Sequence, residues 1–314
     1  MIKVTDLSKN YNEVQAVKSI NFEINDGEIV GFLGANGAGK TTALKMITGY
    51  LSPTAGRVEV DDLNIIDHAK EIQRKIGYLP ELNPLYGEMV VHDYLSFISD
   101  IRGITGKPFR EALHKVVEQC GLKGVIHKLI SECSKGYRQR IGLAAAMIHD
   151  PEILILDEPV TGLDPNQIVE IRELIKRVGK EKLVLMSSHI LQEIQVTVNR
   201  IMIIHEGEIV ADGTSDELMR NFMGNVLLSM ETNLSTTDDI HHLVDSIPGI
   251  ELLKMNDIAN GHQFQLQYSR EEDPREKIFK YSVEKGWVIL SMVPHSANLE
   301  DVFRTLTVTE GGNA

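Results

Sequence analysis

The sequence predicts an α/β domain over residues 1–220 and a smaller α+β module over residues 221–314. Three observations carry that prediction. Through the first 220 residues, short strand-like runs alternate with helical patterns, as in helices packed around a partly parallel sheet. Residues 34–42 read GANGAGKTT, in which Gly34, Gly39, Lys40 and Thr41 complete the pattern G-x-x-x-x-G-K-[ST]. After Met219 the order becomes βαββαβ, which suits a small ferredoxin-like module.

Each element has its own signal. Ile2–Leu7 and Ile20–Ile24 read as strands, and Glu28–Leu33 is a short apolar run of strand type. Thr42–Thr48 is helix-compatible, and Gly56–Val60 and Ile76–Leu79 are further strands. Between Leu82 and about Ser131 the strand signal disappears, while Val90–Ile101 and Phe109–Cys120 show helical periodicity. This is a helical insertion, part of a helical subdomain reaching to about residue 150 with a helix at Ile141–His149. Strands return at Ile153–Leu156, Leu183–Met186 and Arg200–His205. In the second module, Val226–Met230, Ile250–Met255, Gln263–Tyr268 and Trp287–Val293 read as strands. Thr236–Ser246, Glu271–Glu284 and Asn298–Leu306 read as helices.

Composition excludes several classes. The chain has 314 residues, 42% hydrophobic and 25% charged, enough for two domains and a sizeable core. A formal net charge of −13 argues against nonspecific grip on nucleic acid. From Asn221 onward, 14 acids face 7 bases, and no catalytic motif occurs there. The longest apolar runs are far too short to span a bilayer, and the polar N-terminus has no signal segment. The chain is therefore expected in the cytoplasm. Cys120 and Cys133 lack metal-like spacing and read as reduced thiols, and His241-His242 reads as a solvated helix start.

The glycine-rich segment has a definite chemistry. Glycines permit backbone angles that turn successive N–H groups towards an anion, and the helix that follows points its positive end at the same place. Lys40 supplies a mobile cation for terminal phosphates, and Thr41 a hydroxyl ligand for magnesium. This is the pattern of a nucleoside-triphosphate site. Downstream, Ile153-Leu-Ile-Leu-Asp157-Glu158 is a buried strand ending in two carboxylates. Asp157 can hold magnesium beside the phosphate loop, and Glu158 can take a proton from an attacking water. Taken alone, Asp157-Glu158-Pro159 reads equally as a charged strand exit.

Three more segments complete a constellation: Cys133-Ser-Lys-Gly-Tyr-Arg-Gln-Arg140, Thr161-Gly-Leu-Asp164 and Ser187-Ser-His189. Together with the phosphate loop and the acid strand, they resemble the ATP-binding subunit of ABC transporters over residues 1 to about 220. The resemblance implies a P-loop ABC ATPase domain that binds ATP with Mg2+. It implies that Tyr11 stacks on adenine (an ordinary strand-edge tyrosine is the alternative). Asn36, Gly37, Ala38, Gly39, Lys40, Thr41 and Thr42 would wrap the triphosphate, with Gly34 opening the loop, and His189 would contact the γ-phosphate. Ser134 and Gly136 would complete the site of an opposite protomer, and Asp164 would pass geometry between the two sites. The implied unit is a head-to-tail dimer, expected as a homodimer, holding two ATPs. It would dock on a separate integral-membrane permease at the inner face of the cell membrane. An isolated chain should be a poor ATPase.

Two positions depart from the family pattern. Lys135 stands where the signature LSGGQ has a glycine, so its ammonium either attracts the opposing γ-phosphate or is simply solvated. Glu81 stands where glutamine is usual, and either side chain can offer an oxygen to magnesium or to the lytic water. The GYLPE segment at Gly77–Glu81, the SKGYRQR signature and the C-terminal module are similar to the ABC-2 type exporters. Among these the gliding-motility-associated ATP-binding subunits are the nearest likeness, with sodium-efflux and drug-export subunits also similar. The rival is a soluble ABC-type ATPase acting on ribosomes or DNA, which usually carries two nucleotide domains, long coiled coils or basic surfaces. None of these is visible here.

Overall fold

A computed structural model describes residues 1–222, 225–269, 272–295 and 299–307. It divides into two compact units, Met1–Ser215 and Asp216–Ala314.

The first unit holds two sheets. Strands β1 (Ile2–Tyr11), β2 (Val14–Ile24), β4 (Ala55–Val60) and β5 (Leu63–Asn64) form an antiparallel sheet in the order β2-β1-β4-β5. The second contains β3 (Ile29–Leu33), β6 (Ile76–Leu79), β7 (Ile153–Leu156), β8 (Leu183–Ser188), β9 (Arg200–His205) and β10 (Glu208–Gly213). Its order is β10-β9-β3-β8-β7-β6, parallel except for β10. Every residue of β3, β7 and β8 is buried. Strands covered on both faces need continuous apolar runs, which is why the sequence there does not alternate. Phe32, Leu44, Val58, Ile155 and Leu185 belong to one core that joins both sheets to helix α1 (Lys40–Ile47).

Helices α2 (Ala69–Lys75), α3 (Val91–Ile101), α4 (Gly106–Gln119) and α5 (Lys135–Met147) lie between β5 and β7 in the chain. Helix α3 buries Val91, Tyr94 and Leu95, and α5 buries Ile141, Leu143, Ala144 and Met147. Helices α6 (Pro165–Val178) and α7 (Leu191–Gln195) follow, and α8 (Ser215–Phe222) starts at the boundary and belongs to the second unit. Among the described residues no helix is long and apolar enough to cross a membrane.

Several boundaries differ from the sequence reading. The helix expected at Ile141–His149 begins at Lys135, because Ser134 caps it: its Oγ accepts from the Tyr137 N–H at 3.3 Å. The strand expected at Ile20–Ile24 begins at Val14, and β1 runs on to Tyr11, closing a long hairpin. The phosphate-loop helix begins at Lys40 rather than Thr42.

The second unit contains β11 (Asn225–Asn233), α9 (Thr237–Ser246), β12 (Ile250–Ile258), β13 (Gly261–Ser269), α10 (Arg275–Glu284), β14 (Val288–His295) and α11 (Leu299–Thr307). The sheet order β12-β13-β11-β14, antiparallel throughout, is that of a ferredoxin-like βαββαβ module. Leu228, Met230, Ile240, Leu243, Phe264, Leu266, Ile278 and Trp287 fill its core. The expected helix starts at Glu271 and Asn298 fall outside the described residues.

Candidate nucleotide site

Parallel pairing sets the site. In register, Leu33 lies beside Ser188, Leu156 beside Met186, and Leu79 beside Leu156. The segments leaving β3, β8, β7 and β6 therefore emerge on the carboxyl edge of one sheet, where open α/β folds bind ligands. They carry the Gly34–Gly39 loop, His189, Asp157-Glu158 and Glu81 respectively.

The loop is held by close backbone approach. A Cβ at Gly34 would lie 2.5 Å from the Ile204 carbonyl oxygen, and one at Gly39, whose φ is 106°, would lie 2.5 Å from that of Ala16. The Ala38 carbonyl accepts from the Gly207 N–H at 3.0 Å. Asn36 and Gly37 are exposed, while Thr41 and Thr42 are half-buried in the first turn of α1. That turn has no acidic residue and no side-chain cap, so no side chain of its own competes for its N–H groups, which suits the turn to an anion. Lys40 folds back beneath the loop, and Nζ donates to the carbonyls of Gly34 at 2.7 Å and Ala35 at 3.1 Å.

Two buried carboxylates leave β7, and the second of them faces Lys40. Asp157 is fully buried: Oδ1 accepts from Ser187 Oγ at 2.6 Å, while Oδ2 has no hydrogen-bond partner. Glu158 has a left-handed backbone with φ 50°, and its N–H donates to the same Ser187 hydroxyl at 2.9 Å. Glu158 Oε2 accepts from Thr161 Oγ1 at 2.9 Å and lies 2.9 Å from His189 Nδ1. Oε1 is buried without a hydrogen bond, 3.4 Å from Lys40 Nζ. Lys40 and Glu158 are each 6% exposed, so this ion pair is little screened by water. On β6, burial pushes the Tyr78 phenol well above its ordinary range, with the charges of Asp157 and Glu81 adding to it. Glu81 itself is exposed.

A second cluster lies at two helix starts. Asp164 caps α6 by accepting from the Gln167 N–H at 3.0 Å. Gly136 is buried against the Gln167 side chain, where a Cβ would come within 2.5 Å of Cδ. Among the described residues, Ser134 and Gly136 make no hydrogen bond or ion pair with Lys40, Asp157 or Glu158. Tyr11 stands apart at the β1–β2 hairpin end, 46% exposed, with Lys9 Nζ 5.6 Å from its ring centroid.

A family profile described as ABC transporter matches residues 17–161. The bacitracin transport ATP-binding protein of Bacillus licheniformis is 41% identical over 222 residues, covering 70% of this chain and 72% of that protein. The chain belongs to the ABC transporter family. The linearmycin resistance ATP-binding protein of Bacillus subtilis is 30% identical over 312 residues, 98% of either chain, so this relative extends through the C-terminal module. A solved dimeric bacterial ABC transporter cassette superposes with TM-score 0.63 at 25% identity, covering 68% of this chain and 98% of that one. As an ABC transporter ATP-binding subunit, the protein binds ATP and hydrolyses it to energise transport.

Within this ABC subunit, Ser187 makes a link between the two acids that the sequence reading did not assign to it. Its hydroxyl joins Asp157 to Glu158 from the strand between β3 and β7, and the only signal in the sequence was its place before His189. Thr161 likewise has no signal in the sequence beyond its place in the aspartate loop. The amine of Lys135 lies against Gly162 of the same chain, where an added Cβ would collide with Nζ.

Proposed function

We propose that the subunit hydrolyses ATP at the interface of a head-to-tail homodimer and powers export through an ABC-2 type permease. The observations that carry the reading are the buried, unpartnered Asp157 Oδ2 and, beside it in the chain, the buried ion pair of Glu158 Oε1 with Lys40. A buried acceptor left without a donor costs about 1–3 kcal/mol, so Asp157 Oδ2 is a place built for a group that arrives with substrate, while Glu158 Oε1 is held only by the Lys40 ammonium that the phosphates would draw away. Asp157 Oδ2 suits Mg2+, and Glu158 Oε1 suits the proton of a lytic water.

In this scheme the backbone from Asn36 to Gly39 wraps the triphosphate and Lys40 neutralises its terminal charge. The Thr41 hydroxyl and Asp157 would hold magnesium, with Glu81 approaching from the loop after β6. A divalent ion there would screen the phosphate charge. Tyr11 would stack on the base. Glu158 would act as general base with His189 beside the γ-phosphate. Ser134, Gly136 and Asp164 lie in the separate cluster, which supports their serving a partner protomer's ATP. The dimeric solved cassette supports the same assembly.

The docking surface would lie on the helical insertion. A cleft of about 680 Å³ is lined by Tyr50, Tyr78, Tyr94, Ile98 and Ile101 together with Lys70, Arg74 and Arg102, and no acid lines it. Tyr78 lines this cleft from β6, the strand that leads to Glu81 and pairs with the acid-bearing β7, which would give nucleotide state a route to the permease. Docking there would place the subunit on the inner face of the membrane. Relatives named for bacitracin transport and linearmycin resistance support export over a ribosomal or DNA-directed role.

The test is Glu158→Gln in the full-length chain. Loss of the base is expected to slow hydrolysis about 10²–10⁴-fold and to leave an ATP-dependent dimer visible by light scattering. A variant that hydrolyses ATP at the wild-type rate would remove Glu158 from the chemistry, and one that stays monomeric in saturating MgATP beside its permease would overturn the dimer.

A further inference from the structure

We propose that Thr161 is a positioning residue for hydrolysis: its hydroxyl sets which oxygen of Glu158 faces the phosphate. The proposal rests on the reading of Glu158 as general base. Thr161 Oγ1 donates to Oε2 at 2.9 Å, and His189 Nδ1 approaches the same oxygen at 2.9 Å. With Oε2 held twice, the carboxylate cannot rotate freely, and Oε1 is left buried, without a hydrogen bond, in an ion pair 3.4 Å from Lys40 Nζ. The Thr161 N–H also donates to the Glu158 carbonyl at 3.2 Å, so main chain and side chain close one small ring around a residue whose φ is 50°.

Thr161 begins the loop that ends at Asp164. Gly162 of that loop touches Lys135 at the start of the signature helix, and Asp164 caps α6 at Gln167, against which Gly136 packs. One hydroxyl therefore joins the general base to the segment that the dimer reading places against the second protomer. A shift of that loop on dimerisation would move the clamp on Oε2 with it. Base competence is in this way coupled to assembly: water gives its proton to Oε1, its oxygen bonds to the γ-phosphorus, and the bond to the β–γ bridging oxygen breaks with ADP as leaving group.

The experiment compares Thr161→Val and Thr161→Ser in the full-length chain, measuring kcat and KM for MgATP. Removing one hydrogen bond to a charged group is expected to lower kcat by roughly tenfold to a hundredfold. KM should stay within about twofold, because ground-state nucleotide contacts are untouched. Thr161→Ser, which keeps the hydroxyl, should recover most of the rate, whereas a residue that only fills space would favour valine. A wild-type kcat in Thr161→Val, or an equal fall in both variants, overturns the proposal. Glu158→Gln separates the two levels: if it retains hydrolysis, the base assignment itself fails. If it abolishes hydrolysis while Thr161→Val is unaffected, only the positioning role fails.

Discussion

Replacing Ser187 by alanine should damage the site through two buried polar atoms at once. Ser187 is fully buried, donates to Asp157 Oδ1 at 2.6 Å and accepts from the Glu158 N–H at 2.9 Å. Without the hydroxyl, Asp157 has no hydrogen bond to either carboxylate oxygen, since Oδ2 already lacks one. A lost bond to a charged group costs about 1.5–3 kcal/mol, and an orphaned N–H about 1–3 kcal/mol. Allowing for overlap between neighbours, about 3 kcal/mol is expected. In a unit of this size each kcal/mol moves Tm by about 2–4 °C, so Tm should fall by about 6–12 °C. Calorimetry of the full-length chain with and without the substitution measures this directly. A double-mutant cycle with Asp157→Asn should show coupling, because the second change removes the charge that the first leaves unsupported. A fall of less than about 2 °C, or strict additivity in the cycle, would refute the claim that Ser187 joins the two acids.

Arg102→Glu should weaken retention of the membrane permease in detergent pull-downs while ATP binding is unchanged, because Arg102 lines the cation-bearing cleft away from the phosphate loop; unchanged retention would remove the cleft from the docking surface. Acid should destabilise the chain through His149, whose Nε2 lies 3.1 Å from the Ile76 carbonyl oxygen and which burial pushes down to about 4. The folded state then binds fewer protons than the unfolded state, so the stability it contributes is full above about pH 6.5 and is lost as pH falls towards 4. The buried Glu193 carboxyl, raised by burial, acts in the opposite direction, so the measurement is the difference between wild type and His149→Gln. Thermal melts between pH 7 and about 4 should converge as pH falls, and parallel curves would contradict the assignment.

Much of the fold was legible where burial leaves a simple pattern. Ile76–Leu79, Ile153–Leu156 and Arg200–His205 were readable to the residue because strands covered on both faces are continuous apolar runs. The antiparallel sheet was less so: β1 and β2 pair with several register shifts, which break the period of two. Helix α2 buries only Ile72, leaving no periodicity to find. The true start of α5 was hidden because Ser134 had been read for its chemistry and not as a cap. In the site, residue types fixed the class of chemistry, since a phosphate loop needs glycines and a lysine in one short span. The links between distant segments could not be read that way. Ser187 and Asp157 are 30 positions apart, and nothing in either neighbourhood says that they touch.

The strand order has a mechanical consequence. Because β8 is interposed between β3 and β7, phosphate loop and acids are held two strand spacings apart, about 10 Å at the strand level. Main-chain ladders, among the stiffest parts of a protein, serve as a gauge block that neither nucleotide nor permease can easily stretch. Control over turnover is thereby left to the parts carried outside the ladder: a lysine arm, a carboxylate rotamer, and whatever a second copy brings.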